Sequence, residues 1–319
     1  MKLKFFWLVS LFLAHAAAAT PPTTPERFLP VVLNQDGRVT LSPGFSPDGQ
    51  TMYFAQSACT PIWECPQTLH KSTKSAEGWT RPSPVALPLD GRVDWPAVSP
   101  DGTTLLFSWS AEREEFTDLD IFENFDLYTL DLTNPDAVPA PIIGGDINRP
   151  RAGTLKTLRF MHNETLPSLT SSGSLYFMTE RPDGIGERDI YVAQRGESGH
   201  YDVAVPVSGP VNSRQRDDGV WVNAEETLML LSSPDRGGQG GSDLYLSARV
   251  DGNWAEPMNL GPTYNTPHEE FAARLTPDGR SIVFTSDRPF AGQDGGLLQV
   301  WFAEFDVDEF LSTAGDAQR

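Results

Sequence analysis

The chain has 319 residues, a formal net charge of −19, 27 glycines, 27 prolines and two cysteines. A surface this acidic repels phosphate and anionic membrane faces, so nucleic acid is excluded as an expected partner. Abundant glycine and proline favour many short strands and turns over helices.

The first 19 residues have the features of an export signal. Lys2 and Lys4 precede an apolar run at positions 5–13, and four alanines at 16–19 offer small residues for cleavage. We expect residues 1–19 to be a signal peptide and residues 20–27 a linker. No later apolar stretch approaches the roughly 20 residues of a membrane span. The sequence therefore predicts a periplasmic or secreted protein without a membrane span.

A short turn pattern recurs along the mature chain. Proline pre-sets the first central position of a type I turn, aspartate bonds back to its own turn, and glycine takes a positive φ. Alternating apolar residues before and after each turn predict β-hairpins. Two degenerate copies, at 169–173 and 222–226, lack the proline but keep the flanking strands. The three clear copies are Ser46-Pro47-Asp48-Gly49, Ser99-Pro100-Asp101-Gly102 and Thr276-Pro277-Asp278-Gly279.

The turns recur at a nearly constant period. The interval is 53 residues from Asp48 to Asp101, 71 to Ser172, 53 to Glu225 and 53 to Asp278. A period of this size is typical of a solenoid or a propeller. Each repeat also has a third strand and, after a turn that pairs glycine with an aromatic residue, a fourth, and four strands make one propeller blade. The third strands begin at Asp126, Asp189, Asp243 and Gln299.

The two ends of the chain predict how the ring closes. The last repeat stops after its third strand near Glu304, whereas the apolar run 28–33 stands alone before the first hairpin. Pairing these pieces would satisfy backbone groups that an open ring exposes at two edges. We predict a single all-β domain at residues 28–310, a five-bladed propeller, followed by a disordered tail at 311–319. The β-compatible stretch 154–161 leaves a sixth blade as an alternative.

These elements together resemble a known family. Ser-Pro-Asp-Gly, an apolar strand, Ser286-Asp287-Arg288-Pro289, glycines and Asp189-Ile190-Tyr191 resemble the WD-repeat-like propeller repeat of TolB-type periplasmic proteins. The resemblance spans roughly residues 28–306. It implies a propeller that binds a protein or a glycan, and it does not imply catalysis. The chain departs from the pattern in the two degenerate turns and at Gln299, which replaces the third-strand aspartate.

Both cysteines, Cys59 and Cys65, follow the second strand of the first repeat. An even cysteine count in an exported chain is usually paired, so we predict a disulfide. Closing so short a loop contributes about 2 kcal/mol through chain entropy. We expect the bond to shape the loop around Trp63.

The first strands of a propeller line its central channel, so residues near their starts should converge at one mouth. A ring of carboxylates there could bind a divalent cation or a basic peptide. The competing interpretation is that each acidic residue caps a neighbouring turn. The candidate binding residues are Asp94, Trp95, Glu164, Asp217, Asp218, His268, Glu269, Glu270 and Arg274.

Three arginines, Arg181, Arg236 and Arg288, recur before glycine-rich turns. A catalytic group is needed once, whereas a group needed in every blade supports the fold. We predict that each arginine pairs with the third-strand residue of its own hairpin, namely Asp189, Asp243 and Gln299.

An acidic segment in the second repeat is a candidate Ca²⁺ site, and the sequence suggests no other cofactor. Its acidic residues do not fit an EF-hand, because the sixth position is Glu123 instead of glycine and the twelfth is Thr129 instead of glutamate. The alternative is an exposed acidic loop that docks a partner. The candidate ligands are Asp118, Asp120, Glu123 and Asp126.

Enzyme motifs are absent from the sequence. There is no Gly-x-Ser-x-Gly elbow, phosphate-binding glycine loop or paired-histidine metal motif. The favoured hypothesis is an exported, non-catalytic, monomeric propeller that binds a protein or cell-envelope glycan at one face. The alternative is a five-bladed glycoside hydrolase that uses carboxylates in the central channel.

Overall fold

The computed structural model describes residues 21–110, 125–148 and 163–317, except positions 36, 42, 61, 63, 64, 90 and 182. These residues form five antiparallel sheets, which are the blades of a β-propeller. The predicted fold is thus confirmed, with five blades. The predicted signal peptide and the stretch 154–161 lie outside the described residues.

The first two blades follow each other along the chain, and β1 (Glu26–Arg27) precedes them but belongs to blade 5. Blade 1 consists of β2 (Val39–Thr40), β3 (Gly44–Phe45), β4 (Thr51–Ser57), β5 (Thr68–Ser75), β6 (Gly78–Trp79) and β7 (Ser83–Pro84). Blade 2 consists of β8 (Arg92–Val98), β9 (Thr104–Ser110), β10 (Phe125–Asp131) and β11 (Ala140–Pro141).

The other three blades have the same inner-to-outer order. Blade 3 consists of β12 (Glu164–Leu169), β13 (Leu175–Thr179), β14 (Asp189–Ala193) and β15 (Val205–Pro206). Blade 4 consists of β16 (Asp218–Val222), β17 (Leu228–Ser233), β18 (Asp243–Val250), β19 (Asn253–Trp254) and β20 (Met258–Asn259). Blade 5 consists of β21 (Glu270–Leu275), β22 (Ser281–Ser286) and β23 (Gln299–Glu304), with β1 as its outer strand.

The hydrophobic core lies between neighbouring blades. Phe177 of blade 3 clusters with Leu127 of blade 2, and Phe284 of blade 5 clusters with Leu230 of blade 4. Successive side chains of a strand point to opposite faces, so each sheet contacts both of its neighbours. Burying one such aromatic side chain contributes about 2 kcal/mol. The apolar residues that predict each hairpin are therefore the ones that pack neighbouring blades against each other.

The N-terminal strand closes the ring, as predicted. In β1, Glu26 lies opposite Phe302 and Arg27 opposite Trp301 of β23. The predicted strand position, residues 28–33, is wrong, because the chain turns away from the sheet at Leu29, after the amide of Phe28 donates to the Val300 carbonyl at 2.8 Å. Leu29 has a φ of 49°, and its carbonyl accepts hydrogen bonds from the two amides at positions 32 and 33 at 3.0 and 2.8 Å.

The run 28–33 is apolar because it covers the end of the core between blades 5 and 1. Leu33 is fully buried in a cluster with Phe54 and Val300. Val31, by contrast, is 86% exposed. An apolar turn that packs on the core has the same composition as a short buried strand. The sequence therefore places the closing strand at 28–33 instead of at Glu26–Arg27.

Four asparagines fasten the outer connections of blades 2 to 5 to their third strands. In blade 3, Asn212 Oδ1 accepts from the amide of Ile190 at 2.8 Å, and Asn212 Nδ2 donates to the Ile190 carbonyl at 2.9 Å. The same two bonds recur in the other three blades, so we call these residues the bridging asparagines. The remaining pairs are Asn148 with Leu127, Asn265 with Leu244 and Asn34 with Val300.

The closure explains why Gln299 replaces the third-strand aspartate in blade 5. Its Oε1 accepts from Nη2 of Arg27 at 2.8 Å, and its Nε2 donates to the carbonyl of Arg38 at 2.7 Å. An amide can donate and accept, whereas a carboxylate can only accept. Gln299 therefore accepts from Arg27 of β1, the strand that completes the blade, and donates to Arg38 further along the N-terminal segment.

The degenerate turns keep the geometry of the clear copies. The amide of Glu226 donates to the Asn223 carbonyl at 3.0 Å, as Gly49 does to Ser46 at 2.8 Å. Asn223 Oδ1 also accepts from two amides, at positions 227 and 228, at 2.8 and 2.9 Å. In the first copy, a serine hydroxyl and an aspartate carboxylate divide these two tasks. One asparagine therefore replaces the serine and the aspartate together.

The chain described here ends in the helix α1 (Val307–Ala317). It overlaps the segment 311–319, for which the sequence predicts a disordered tail. Phe310 packs against Phe305 with ring centroids 5.6 Å apart, and Leu311 contacts the same core cluster. The helix forms because this apolar face has a partner on blade 5. Within the described residues, no helix has the length and apolar character needed to cross a membrane.

Candidate functional site

The innermost strands of blades 2 to 5 carry a β-bulge at the same height of the ring. Each bulge holds one residue in the left-handed region, with φ between 51° and 54°. That conformation costs a non-glycine residue about 1 kcal/mol, so the surrounding sheet must impose it. Bulges re-aim side chains and are frequent near binding sites. The four equivalent residues are Trp95, Leu166, Gly219 and Ala272.

A cavity of about 820 Å³ opens at the end of the ring where the innermost strands begin, and we call it the upper cavity. Its floor is apolar and aromatic. Trp95 and Phe271 meet edge to face, with centroids 5.9 Å apart at 68°. Leu166, Met178 and Phe125 line the same space. An apolar floor surrounded by polar groups that can orient a ligand is typical of ligand-binding sites.

The rim of the upper cavity carries paired charges. Arg188 donates to Asp218 Oδ1 at 3.1 Å and also pairs with Glu180. Arg216 Nε lies 3.0 Å from Asp235 Oδ2, and this pair is partly exposed. Planar arginine groups in such positions can also contact carboxylates of a ligand.

Two acidic side chains in the upper cavity have a carboxyl pKa above its ordinary value. Burial raises the pKa of Asp218, although Arg188 acts in the opposite direction. Burial also raises the pKa of Glu269, whose carboxylate accepts from the amide of Ser242 at 3.0 Å. A raised carboxyl pKa in a cavity marks a candidate functional group.

Four of the predicted channel-mouth carboxylates are buried structural groups. Asp217 Oδ1 lies 2.7 Å from Nε of Arg236, and Glu270 Oε1 lies 3.1 Å from Nη2 of Arg288. In blade 3 the corresponding pair is Glu164 with Arg181. The fourth, Asp94, is fully buried and lies 3.7 Å from Nη2 of Arg92.

Three of these carboxylates also hold the loops that precede them. Glu270 Oε2 accepts from the amide of Thr266 at 2.8 Å, and Glu164 Oε2 accepts from the amide of Asn148 at 2.6 Å. Asp217 accepts from Ser213 in the same way. The interpretation of these acids as caps of neighbouring turns therefore describes them better than a carboxylate ring open to a ligand.

The predicted partners of the recurring arginines are wrong. Each arginine contacts the first-strand carboxylate of its blade and not the third-strand residue. The third-strand aspartates bind the glycine-rich turns instead: Asp189 accepts from the amide of Gly186 at 3.0 Å, and Asp243 accepts from Gln239. Glycine is required at position 238, where a Cβ would lie 1.1 Å from an oxygen of Asp243. The aspartate thus occupies space that only glycine leaves.

The remaining predicted site residues lie in different places. Trp95 and Asp218 line the upper cavity, as does Glu269. His268 is partly exposed, with Nδ1 3.6 Å from Asp287 Oδ1. Arg274 lies at the opposite end of the channel, so the candidate residues do not form one mouth.

The predicted disulfide joins Cys59 and Cys65, with Cα atoms 6.1 Å apart. Within the enclosed loop, Thr60 and Ile62 line the upper cavity, and Ile62 packs against the core. The disulfide therefore holds one wall of the cavity. Trp63 lies outside the described residues.

The predicted metal loop lies mostly outside the described residues. Asp118, Asp120 and Glu123 lie outside the described residues, and Asp126 is a buried residue of β10. Across the ranges that the structure describes, no group of histidine, cysteine, aspartate and glutamate side chains is arranged to hold a metal ion.

Of the upper-cavity residues that sequence reasoning missed, three bear on binding: Arg188, Arg216 and Phe271. The sequence does contain a pattern that could have identified the two arginines. Each directly precedes a repeated aspartate, at Arg188-Asp189 and Arg216-Asp217. A side chain next to a buried strand residue points to the other face of the sheet or to its edge.

The comparisons with known proteins concern the fold. No protein-family model matches the chain, and no curated protein matches it. A Dyadobacter fermentans protein of unknown function is similar, with a TM-score of 0.52 and 14% identity over 90% of this chain and 83% of that one. A family 117 glycoside hydrolase of Zobellia galactanivorans has a TM-score of 0.52 and 13% identity over 89% and 90%.

TolB-like structures are also similar. One from Agrobacterium tumefaciens has a TM-score of 0.48 and 15% identity over 85% of this chain and 91% of that one. The shared property is the propeller fold. At these identities the likeness carries neither a substrate nor a partner to this chain.

Proposed function

We propose that this chain is an exported, non-catalytic propeller that binds a protein or cell-envelope glycan in its upper cavity. Export is supported by the charge and apolar pattern of residues 1–19 and by the disulfide between Cys59 and Cys65. Disulfides persist in oxidising compartments such as the periplasm and the extracellular space.

The observation that carries the proposal is the pairing of the inner carboxylates. Glu164, Asp217 and Glu270 each bind a buried arginine and a backbone amide. A general acid or base must reach the reacting atoms and exchange a proton with them. Buried carboxylates that bind both an arginine and a loop amide stabilise the fold. If such a carboxylate left its arginine to take part in catalysis, the buried arginine would lose its counterion.

The upper cavity suits binding through contact area and orientation. Trp95 and Phe271 offer an apolar surface to a sugar face or a side chain. The partly exposed Arg216–Asp235 pair at the rim places a hydrogen-bond donor and an acceptor where one ligand can contact both. Aromatic and arginine side chains carry much of the binding energy in many interfaces.

A glycoside hydrolase is the alternative, and one observation favours it. Asp218 and Glu269 both line the upper cavity, and burial raises the pKa of each. A carboxylic acid with a raised pKa is suited to protonate a leaving group. A hydrolase on this scaffold would therefore use Asp218 and Glu269, and not the paired inner carboxylates.

The binding proposal predicts that Arg216→Glu weakens capture of a defined envelope protein or glycan by about tenfold or more. The partly exposed position of Arg216 makes loss of folding an unexpected outcome. Trp95→Ala should weaken the same interaction by removing floor area. The measurement is the affinity of immobilised protein for fractionated envelope proteins and glycans.

Arg280→Glu is the matched control, because it makes the same charge change on an exposed turn at the far end of the ring. Equal losses in Arg216→Glu and Arg280→Glu would show a nonspecific charge effect and contradict the cavity assignment. Release of reducing ends from a glycan panel, lost in both Asp218→Asn and Glu269→Gln, would establish the hydrolase instead.

A further inference from the structure

A second cavity, of about 520 Å³, opens where the innermost strands run into the recurring turns, and we call it the lower cavity. Pro47, Pro100 and Pro277 from three of these turns form part of its wall. Trp221 and Leu275 add further apolar surface. The lower cavity shares no lining residue with the upper cavity.

One cation, Arg274, lies in the wall of the lower cavity. The residue is 7% exposed, and its Nη1 donates to the carbonyl of Pro96 in blade 2 at 3.0 Å. Its Nε has no hydrogen-bond partner within the described ranges, and no carboxylate there lies within ion-pair distance of the guanidinium. Burial lowers the pKa of Arg274 to about 10.

Arg274 differs in this respect from the recurring arginines. Arg181, Arg236 and Arg288 are also largely buried, and each contacts a carboxylate of its own blade. A buried charge without a counterion is costly, so proteins pair such groups or use them to bind an ion. Among the residues that the structure describes, Arg274 has one neutral acceptor and no counterion.

The position of Arg274 is not a requirement of the repeat. Its strand partner is Val283, and the residues with the same pairing in the other blades are small, polar or aromatic. A group that the repeat itself needed would recur, whereas Arg274 occurs in one blade. The equivalent residues are Gly44, Ala97, Ser168 and Trp221.

We propose that the lower cavity binds a small organic monoanion, a carboxylate attached to an apolar body, with Arg274 as the counterion of the carboxylate. The apolar wall of prolines, Trp221 and Leu275 would contact the body of the ligand. A planar guanidinium matches a carboxylate in geometry.

A monoanion fits better than an inorganic polyanion. Glu225 also lines the lower cavity, where its Oε2 accepts from Asn223 Nδ2 at 3.1 Å. A second negative charge on the ligand would meet this carboxylate without a second arginine to offset it. Phosphate or sulfate would also leave the apolar wall in contact with water.

The test uses phenylacetate and its neutral analogue phenylacetamide with the full chain, by isothermal titration calorimetry. We expect phenylacetate to bind with a dissociation constant on the order of 1 mM, and phenylacetamide to bind at least about tenfold more weakly. Sulfate should not compete with phenylacetate. Equal affinity for the acid and the amide, or no binding of the acid at about 10 mM, would overturn the proposal.

Variants locate the site. Arg274→Gln should weaken phenylacetate binding at least about tenfold, whereas Arg280→Gln, which removes an exposed arginine at the same end of the ring, should not change it. Loss of binding in both variants would assign it to general charge and contradict the site. The comparison of acid and amide needs no variant, so it decides the matter even where Arg274→Gln does not fold.

Discussion

We expect Asp217→Ala to lower the free energy of unfolding by about 3–5 kcal/mol, because it leaves a buried guanidinium without its carboxylate. Asp217 is fully buried, and the side chain of Arg236 is 10% exposed. The nearby Glu256 lies 3.6 Å from Arg236 but is 67% exposed, so water screens it. The amide of Ser213 would lose its acceptor as well. Chemical denaturation of the purified protein measures the effect.

Asp235→Ala is the matched control. The Arg216–Asp235 pair lies in the same blade with the same separation along the chain, but its side chains are 43% and 28% exposed. An exposed pair contributes about 0–1 kcal/mol, so this variant should unfold almost like the parent chain. The double variant Asp217→Ala/Arg236→Met should recover most of the lost stability. Similar losses in Asp217→Ala and Asp235→Ala would contradict the structural role of the buried pair.

The second large effect is expected at the ring closure. Asn34→Ala should cost about 2–4 kcal/mol, since it orphans the buried amide and carbonyl of Val300. Asn212→Ala removes the same two bonds from Ile190 and should cost a similar amount. The two variants differ in connectivity. Asn212 lies 22 residues from its partner, whereas Asn34 lies 266 residues from Val300.

Limited proteolysis separates the two variants. Without Asn34, the segment loses both of its side-chain bonds to Val300 and keeps the two-residue pairing of β1, the bonds of Arg27 and the packing of Leu33. Trypsin should therefore cut after Arg27 well before the ring is degraded. Asn212→Ala should leave that bond as protected as in the parent chain. Equal cleavage after Arg27 in both variants would show that Asn34 does not hold the closure.

Local chemistry explains which parts of the fold were predictable. Proline, aspartate and glycine fix a turn by their own backbone preferences, so the hairpins around Asp48, Asp101 and Asp278 follow from sequence. The position of β1 does not, because residues 28–33 are apolar for a packing reason that arises only when blades 5 and 1 meet. The bridging asparagines follow an apolar residue each time, as in Leu33-Asn34 and Val211-Asn212, and this repeat could have been recognised.

The candidate site was predictable only in part. Trp95 and Asp218 line the upper cavity, but the bulge that turns Trp95 inward has a φ of 54° imposed by the folded sheet and not by the residue. The placement of Arg274 could have been found by counting. It lies four residues beyond Glu270, about 13 Å along an extended strand. Arg274 and Glu270 therefore cannot lie at the same mouth of the channel.

The pairing of β1 with β23 also constrains how the protein is made. Glu26 is synthesised 276 residues before its partner Phe302. During translation the first strand has no sheet to join, and contacts of such long sequence separation form slowly. We therefore expect nascent chains that end before residue 299 to lack a closed ring. The ring can therefore take its final, closed shape only once residues 299–304 have been synthesised.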